Sequence, residues 1–132
     1  MKLLVDTNVF LEILLDQVRA DEARELLLKV DRHDFFISDF GLHSIGLLLL
    51  RLRQPETFRR FLLDMVVNAG LMQRSLFPSE LNEVINAAMN FELDFDDAYQ
   101  YAFAERYGLT IASFDADFDR TSLGRILPGA AA

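Results

Sequence analysis

Short apolar runs that stop at a polar turn, each followed by an amphipathic segment of helical length, constrain this chain more than any other feature. The run Lys2 to Val5 closes on Asp6-Thr7-Asn8, which reads as a buried strand ending in a turn. Similar runs at 35–38, 71–73, 109–113 and 125–127 mark further strands. Between them, residues 9–15, 20–30 and 39–52 carry helical spacing, with Ala23, Leu26, Leu27 and Val30 on one face of the second segment. The third is apolar nearly all round and is expected to be buried. Pro55 opens a fourth helix with Phe58, Phe61, Leu62, Met65 and Val66 inward, and Gly70 follows its end. Ser79 is the expected cap of a fifth helix, whose stripe is Leu81, Val84, Ile85, Ala88 and Met89. Asp94 is the expected cap of a sixth, with Phe95, Ala98, Ala102 and Phe103 inward and Gly108 at its end. Residues 114–120 read as a turn with at most one helical turn. Strands alternating with helices predict an α/β fold: three layers, α/β/α, around a mostly parallel sheet of roughly five strands.

The chain has 132 residues and is 52% hydrophobic, enough for one core, and 1–132 is expected to form a single domain. It contains no cysteine, which excludes disulfides and thiolate metal sites and fits a cytoplasmic protein. Asp6 interrupts the N-terminal apolar run too early for a signal peptide. The run Ile45 to Leu50 is far short of the ~20 residues that span a bilayer, so no membrane association is expected. The formal net charge is −8. A polyanion would not be drawn by the mean field, and a nucleic-acid function needs local positive charge or bound cations. Arg51, Arg53, Arg59 and Arg60 form the main basic cluster and read as a solvated surface.

In open parallel sheets, sites form outside the carboxyl ends of the strands. Asp6 follows the first strand, Asp115 follows the fourth, and Asp97 lies in the first turn of the helix leading to it. Each has an ordinary structural reading: Asp is common at turns and favours the first turn of a helix. Together, on such a sheet, the three carboxylates are expected to converge on one crevice. Carboxylate oxygens suit Mg²⁺ or Mn²⁺, ions that generate hydroxide and stabilise a phosphoryl transition state.

The segments Leu-Leu-Val-Asp6-Thr7-Asn8-Val-Phe-Leu, Asp97-Ala98 and Ile-Ala-Ser113-Phe-Asp115-Ala-Asp117-Phe118 resemble, in order and spacing, the PIN-domain family. That family includes the ribonuclease toxins of toxin–antitoxin pairs. The resemblance implies a metal-dependent endoribonuclease on a parallel five-stranded sheet. It implies that Asp6, Asp97 and Asp115 hold one or two Mg²⁺ or Mn²⁺ ions, supported by Asn8, Ser113 and Asp117. It also implies an RNA substrate, a small antitoxin partner and a homodimer. Leu42 to Leu52 and the phenylalanine-rich fourth helix are candidate partner surfaces, although stripes at that spacing also suit a core.

One departure stands out. The family's pattern has a glutamate early in the helix after the second strand. Here that helix reads Ser38-Asp39-Phe40-Gly41-Leu42-His43-Ser44, and Ser44 falls near the glutamate's place. Asp39 is a candidate substitute but is first read as the helix N-cap. His43 is read as a hydrogen-bonded core residue, and Glu12 as solvated. The missing carboxylate motivates an alternative: a degenerate PIN-like fold that binds without cleaving. A phosphatase with a nucleophilic Asp is disfavoured, because the only lysines, Lys2 and Lys29, follow no strand end.

Overall fold

The computed structural model describes residues 1–131. Its sheet has four strands, all parallel, in the order β3-β2-β1-β4. These are β1 (Lys2–Val5), β2 (Asp34–Ser38), β3 (Met72–Arg74) and β4 (Thr110–Ala112). Leu3 pairs with Phe35, Leu4 with Ile111, and Phe36 with Met72. Helices cover both faces, so the central strands are continuously apolar rather than alternating. Leu4, Phe36 and Ile111 enter one core layer. Leu3, Val5, Phe35, Ile37 and Ala112 enter the other.

The expected fifth strand, 125–127, is reduced to a single parallel bridge between Ala112 and Ile126. Ile126 N–H donates to Ile111 O at 2.8 Å and Ser113 N–H to Ile126 O at 3.1 Å. Pro128 then begins a short helix and has no N–H with which to extend the ladder.

The helices are α1 (Thr7–Leu14), α2 (Ala20–Leu27), α3 (Asp39–Arg51), α4 (Pro55–Phe61), α5 (Leu81–Phe91), α6 (Phe95–Tyr107) and α7 (Pro128–Ala131). α5 and α6 line the first core layer, and residues of α1 to α4 line the second. None of the described helices is long and apolar enough to cross a membrane.

Several boundaries differ from the sequence expectation for identifiable reasons. α1 starts at Thr7 because Asp6 caps it. α2 stops at Leu27, leaving Leu28 and Val30 exposed. α3 is capped by Ser38, whose hydroxyl accepts from Gly41 N–H at 2.9 Å, so Asp39 is not the cap. Nor is α3 wholly buried: Ile45 and Leu49 face the core while Leu47 and Leu50 are exposed. A Cβ on Gly46 would lie 2.9 Å from the Phe58 ring, so its absence lets α3 and α4 approach. α4 continues beyond Phe61 as a π-helical stretch, Leu62–Asn68.

Ser79 lies inside a 3₁₀ turn (Pro78–Glu80) rather than capping α5, and Glu80 accepts from Phe77 N–H at 2.8 Å. Of the expected α5 stripe, Val84 is buried and Leu81 and Ala88 pack against the core, whereas Ile85 and Met89 are exposed and Ala87 is buried instead. α6 is capped by Asp94, which accepts from Asp97 N–H at 3.0 Å. Gly108 ends it at φ +67°, a conformation costly for other residues. Phe95 is exposed, but Ala98 through Ala104 are all buried, because α6 packs against the sheet, α3 and α5.

Candidate metal centre

The chain runs from β1 outward through β2 to β3, then crosses back to place β4 on the other side of β1. The strand order therefore reverses between β1 and β4, and a crevice forms beyond their carboxyl ends. Asp6 follows β1 directly and Ser113 follows β4 directly. Asp6 is buried, and its carboxylate is held by donors. Thr7 N–H donates to Oδ1 at 2.8 Å and Gln100 Nε2 to the same oxygen at 3.0 Å. Ser113 Oγ donates to Oδ2 at 2.7 Å, with Asn8 Nδ2 farther off at 3.4 Å. Burial pushes the Asp6 carboxyl above its ordinary range, while these hydrogen bonds act against the shift.

Ser113 organises the neighbouring turn. Its Oγ accepts from Asn8 Nδ2 at 3.1 Å and from Asp115 N–H at 2.9 Å. Asn8 Oδ1 in turn accepts from Phe114 N–H at 3.2 Å. Asp115 caps a 3₁₀ turn (Ala116–Arg120) by accepting from Asp117 N–H at 2.8 Å. Local turn chemistry and the crevice thus use the same residues.

Asp6, Asp97 and Asp115 line one cavity of about 230 Å³, together with Thr7, Asn8, Leu11, Phe40, Ser44, Asp96 and Gln100. Asp97, Asp115 and Asp117 each offer a carboxylate oxygen within 4.8 Å of the others. This most compact trio includes Asp117 in place of Asp6, whose oxygens are already occupied by donors. Burial, then the charge of Asp115, pushes the Asp97 carboxyl up to about 8. Like charges this close cannot all ionise cheaply unless a cation joins them. An all-oxygen carboxylate set fits a hard divalent ion, which accepts few protein ligands and retains waters.

The remaining sequence candidates divide between the cavity and its surroundings. Ser44 lines the acidic cavity. Asp39 accepts from Tyr99 Oη at 2.6 Å and lines a neighbouring cavity with His43. His43 is exposed rather than a core residue. Glu12 accepts from Arg19 N–H at 3.0 Å and is likewise outside the site. Gln100, 2% exposed, was not singled out by the sequence. Its signal is weak: a glutamine three residues after Asp97, on a helix otherwise rich in alanine and aromatics. A larger cavity, about 450 Å³, lies among Phe10, Ile13, Leu14, Leu27, Phe61 and Met65, apart from the acidic trio.

Fold and site together define a doubly wound α/β protein with an acidic pocket at its topological switch point. The family model for the PIN domain matches residues 3–123, and the chain belongs to the PIN-domain family. No curated protein sequence matches it. Among solved structures, it is similar to Mycobacterium tuberculosis VapC20, described as a Sarcin-Ricin loop cleaving toxin. The TM-score there is 0.76 at 15% identity, over 94% of this chain and 98% of that one. It is also similar to a chain of VapBC2 from Rickettsia felis bound to a promoter DNA fragment, with TM-score 0.75 and 15% identity over 96% and 97%. A chain of a toxin–antitoxin complex from Klebsiella pneumoniae gives 0.72 and 18% over 95% and 96%. At these identities the likeness concerns the fold.

Proposed function

We propose that this protein is a metal-dependent endoribonuclease that cleaves RNA phosphodiesters, acting as the toxin of a toxin–antitoxin pair. The observation that carries this reading is the gathering of Asp97, Asp115 and Asp117 oxygens within 4.8 Å of one another, two of these residues lining a cavity that Asp6 also lines. Membership of the PIN-domain family, and neighbours that include a toxin described as Sarcin-Ricin loop cleaving, support it.

Asp6, Asp97 and Asp115 would hold Mg²⁺ or Mn²⁺, with Asp117 close to Asp97 and Asp115. When bound, such an ion supplies Lewis acidity, a nucleophilic hydroxide at neutral pH and charge to stabilise the phosphoryl transition state. The chain's own residues do the positioning. Ser113 and Asn8 hold Asp6 and the Asp115 turn in register. Leu11 and Phe40 form apolar walls that limit water. Asp97, with its raised affinity for a proton, would give up that proton on holding a cation. In a chain of net charge −8, these carboxylates would draw an RNA phosphate only with a cation between them.

The test is Asp97→Asn assayed on single-stranded RNA with Mn²⁺. Cleavage should fall roughly a hundredfold or more, with the fold retained by circular dichroism. Cleavage at the parent's rate would defeat the assignment.

Ser44 favours a second reading. It lines the cavity and brings no charge, so the site has one carboxylate fewer than the family's pattern supplies. A PIN fold that binds without cleaving follows if calorimetry detects no Mn²⁺ binding up to millimolar concentration. As partners we propose a small antitoxin protein and a second copy of this chain. Exposed Leu47 and Leu50 on α3 and Ile85 and Met89 on α5 supply apolar surface. Light scattering of the isolated chain at monomer mass would remove the homodimer.

A further inference from the structure

We propose that Gln100 is a positioning residue for the metal centre, fixing the orientation of Asp6 and locking it to the helix that carries Asp97. This rests on the metal-dependent reading above. Three strand ends meet at the crevice: Ser38 closes β2, Asp6 follows β1 and Ser113 follows β4. Gln100 reaches two of them from α6. Its Nε2 donates to Asp6 Oδ1 at 3.0 Å, and its Oε1 accepts from Ser38 Oγ at 2.6 Å.

The direction of this chain of hydrogen bonds is unique. A carboxylate that holds a cation is ionised and can only accept, so the amide must present its NH₂ to Asp6 and its oxygen to Ser38. The Ser38 proton is then committed to Gln100, and its lone pair receives Gly41 N–H at 2.9 Å. No member can turn over without leaving a buried polar group unpaired. Gln100 sits between Tyr99 and Tyr101 on a buried stretch of α6, a place where an amide persists only when both its ends are satisfied.

Gln100 follows Asp97 by three residues, so both project from the same side of α6, and both line the acidic cavity. The amide therefore ties the Asp97 helix to the Asp6 strand end. It adds a donor without adding charge to a cluster already crowded with carboxylates. It acts on the ion through Asp6; groups that orient a ligand in this way typically change metal affinity about 10- to 100-fold when removed.

The test is calorimetric titration of the full chain with Mn²⁺ alone, with no RNA present. Gln100→Met keeps the stem and removes both hydrogen bonds; its Kd for Mn²⁺ should rise about tenfold or more. Val84→Ala, in the α5–α6 core, serves as the stability control. It should lower Tm but leave Mn²⁺ affinity at the parent value. Parent-like affinity in Gln100→Met overturns the inference, and so does an equal loss in Val84→Ala, because affinity would then follow global stability. If Gln100→Met does not fold, Gln100→Asn retains the amide but is one methylene too short to span Ser38 and Asp6. It too should bind more weakly, and parent-like binding there is equally fatal. Absence of Mn²⁺ binding in the parent itself refutes the metal-dependent reading, a distinct outcome.

Discussion

Ser44 is the residue where the site departs from a four-carboxylate pattern, and its position makes the departure testable. It lines the acidic cavity with Asp6, Asp97 and Asp115, so a longer acidic side chain there would enter a space already crowded with negative charge. Ser44→Glu should raise Mn²⁺ affinity roughly tenfold, the scale of one added ligand-orienting or ligating group. It should also lower the Tm of the metal-free protein, because a fourth carboxylate has no cation to meet. Calorimetry and thermal melts in EDTA check the two halves separately; unchanged affinity would show that the side chain does not reach the ion. The aspartates themselves were legible in the sequence because two follow strand ends and the third sits in a first helical turn, positions where an acidic residue has a geometric meaning. Gln100 was not, since a lone glutamine on a helix ordinarily faces solvent, and only the packing of α6 against the sheet, α3 and α5 turns it inward. Asp117 was legible as a supporting residue but not as a member of the tightest trio, because the 3₁₀ turn that swings it toward Asp115 has no periodic signal.

At the scale of elements, the junction between α5 and α6 holds a conformational cost. Glu92 closes α5 in the left-handed region at φ +53°, although it carries a side chain. Arg120 steadies the turn by donating to Glu92 O at 2.8 Å and Phe91 O at 3.2 Å. Both contacts are to backbone carbonyls and survive replacement of the Glu92 side chain. Glu92→Gly should therefore stabilise the protein by about 1 kcal/mol, the left-handed penalty of a non-glycine residue. Chemical denaturation would show a higher midpoint at unchanged slope; a lower midpoint would mean that the gain in unfolded-chain entropy outweighs the relieved strain. The same junction explains why element boundaries were only partly readable. Gly108 and Asp94 are strong punctuators and sit where expected. The 3₁₀ turn before α5 has no such marker; of the expected stripe Leu81, Val84 and Ala88 meet the core, while Ile85 and Met89 are exposed and Ala87 is buried in their stead. The parallel core strands were legible because burial on both faces makes them continuously apolar. The edge at Ile126 was not, since one bridge and a full strand look alike over three residues.

The molecule as a whole carries a net charge of −8 and concentrates part of it in a cavity beside the central strand of its sheet. This couples stability to pH. Asp97 has an ordinary carboxyl value of 3.8 and is pushed up to about 8 in the fold; Asp6 moves in the same direction. A raised folded value means that the native state binds the proton more tightly than the unfolded chain. The corresponding stability is fully present below pH 3.8 and is lost as pH rises through about 8. The metal-free protein should therefore be more stable at pH 6 than at pH 8.5. A tenfold difference in proton affinity between folded and unfolded chain is worth about 1.4 kcal/mol at full burial. Because the cavity opens to solvent, a stability difference of roughly 1–2 kcal/mol between the two pH values is expected. Mn²⁺ at about a hundred times its Kd would add about 2.7 kcal/mol to the native state. Its Kd should be lower at pH 8.5, where it displaces fewer protons. Thermal melts at both pH values, in EDTA and at one fixed Mn²⁺ concentration, should show the pH difference shrink or invert when the ion is added. A pH difference untouched by Mn²⁺ would mean that the aspartates repel one another without sharing a cation, and the acidic cavity would then be a cost of the fold with no ion to offset it.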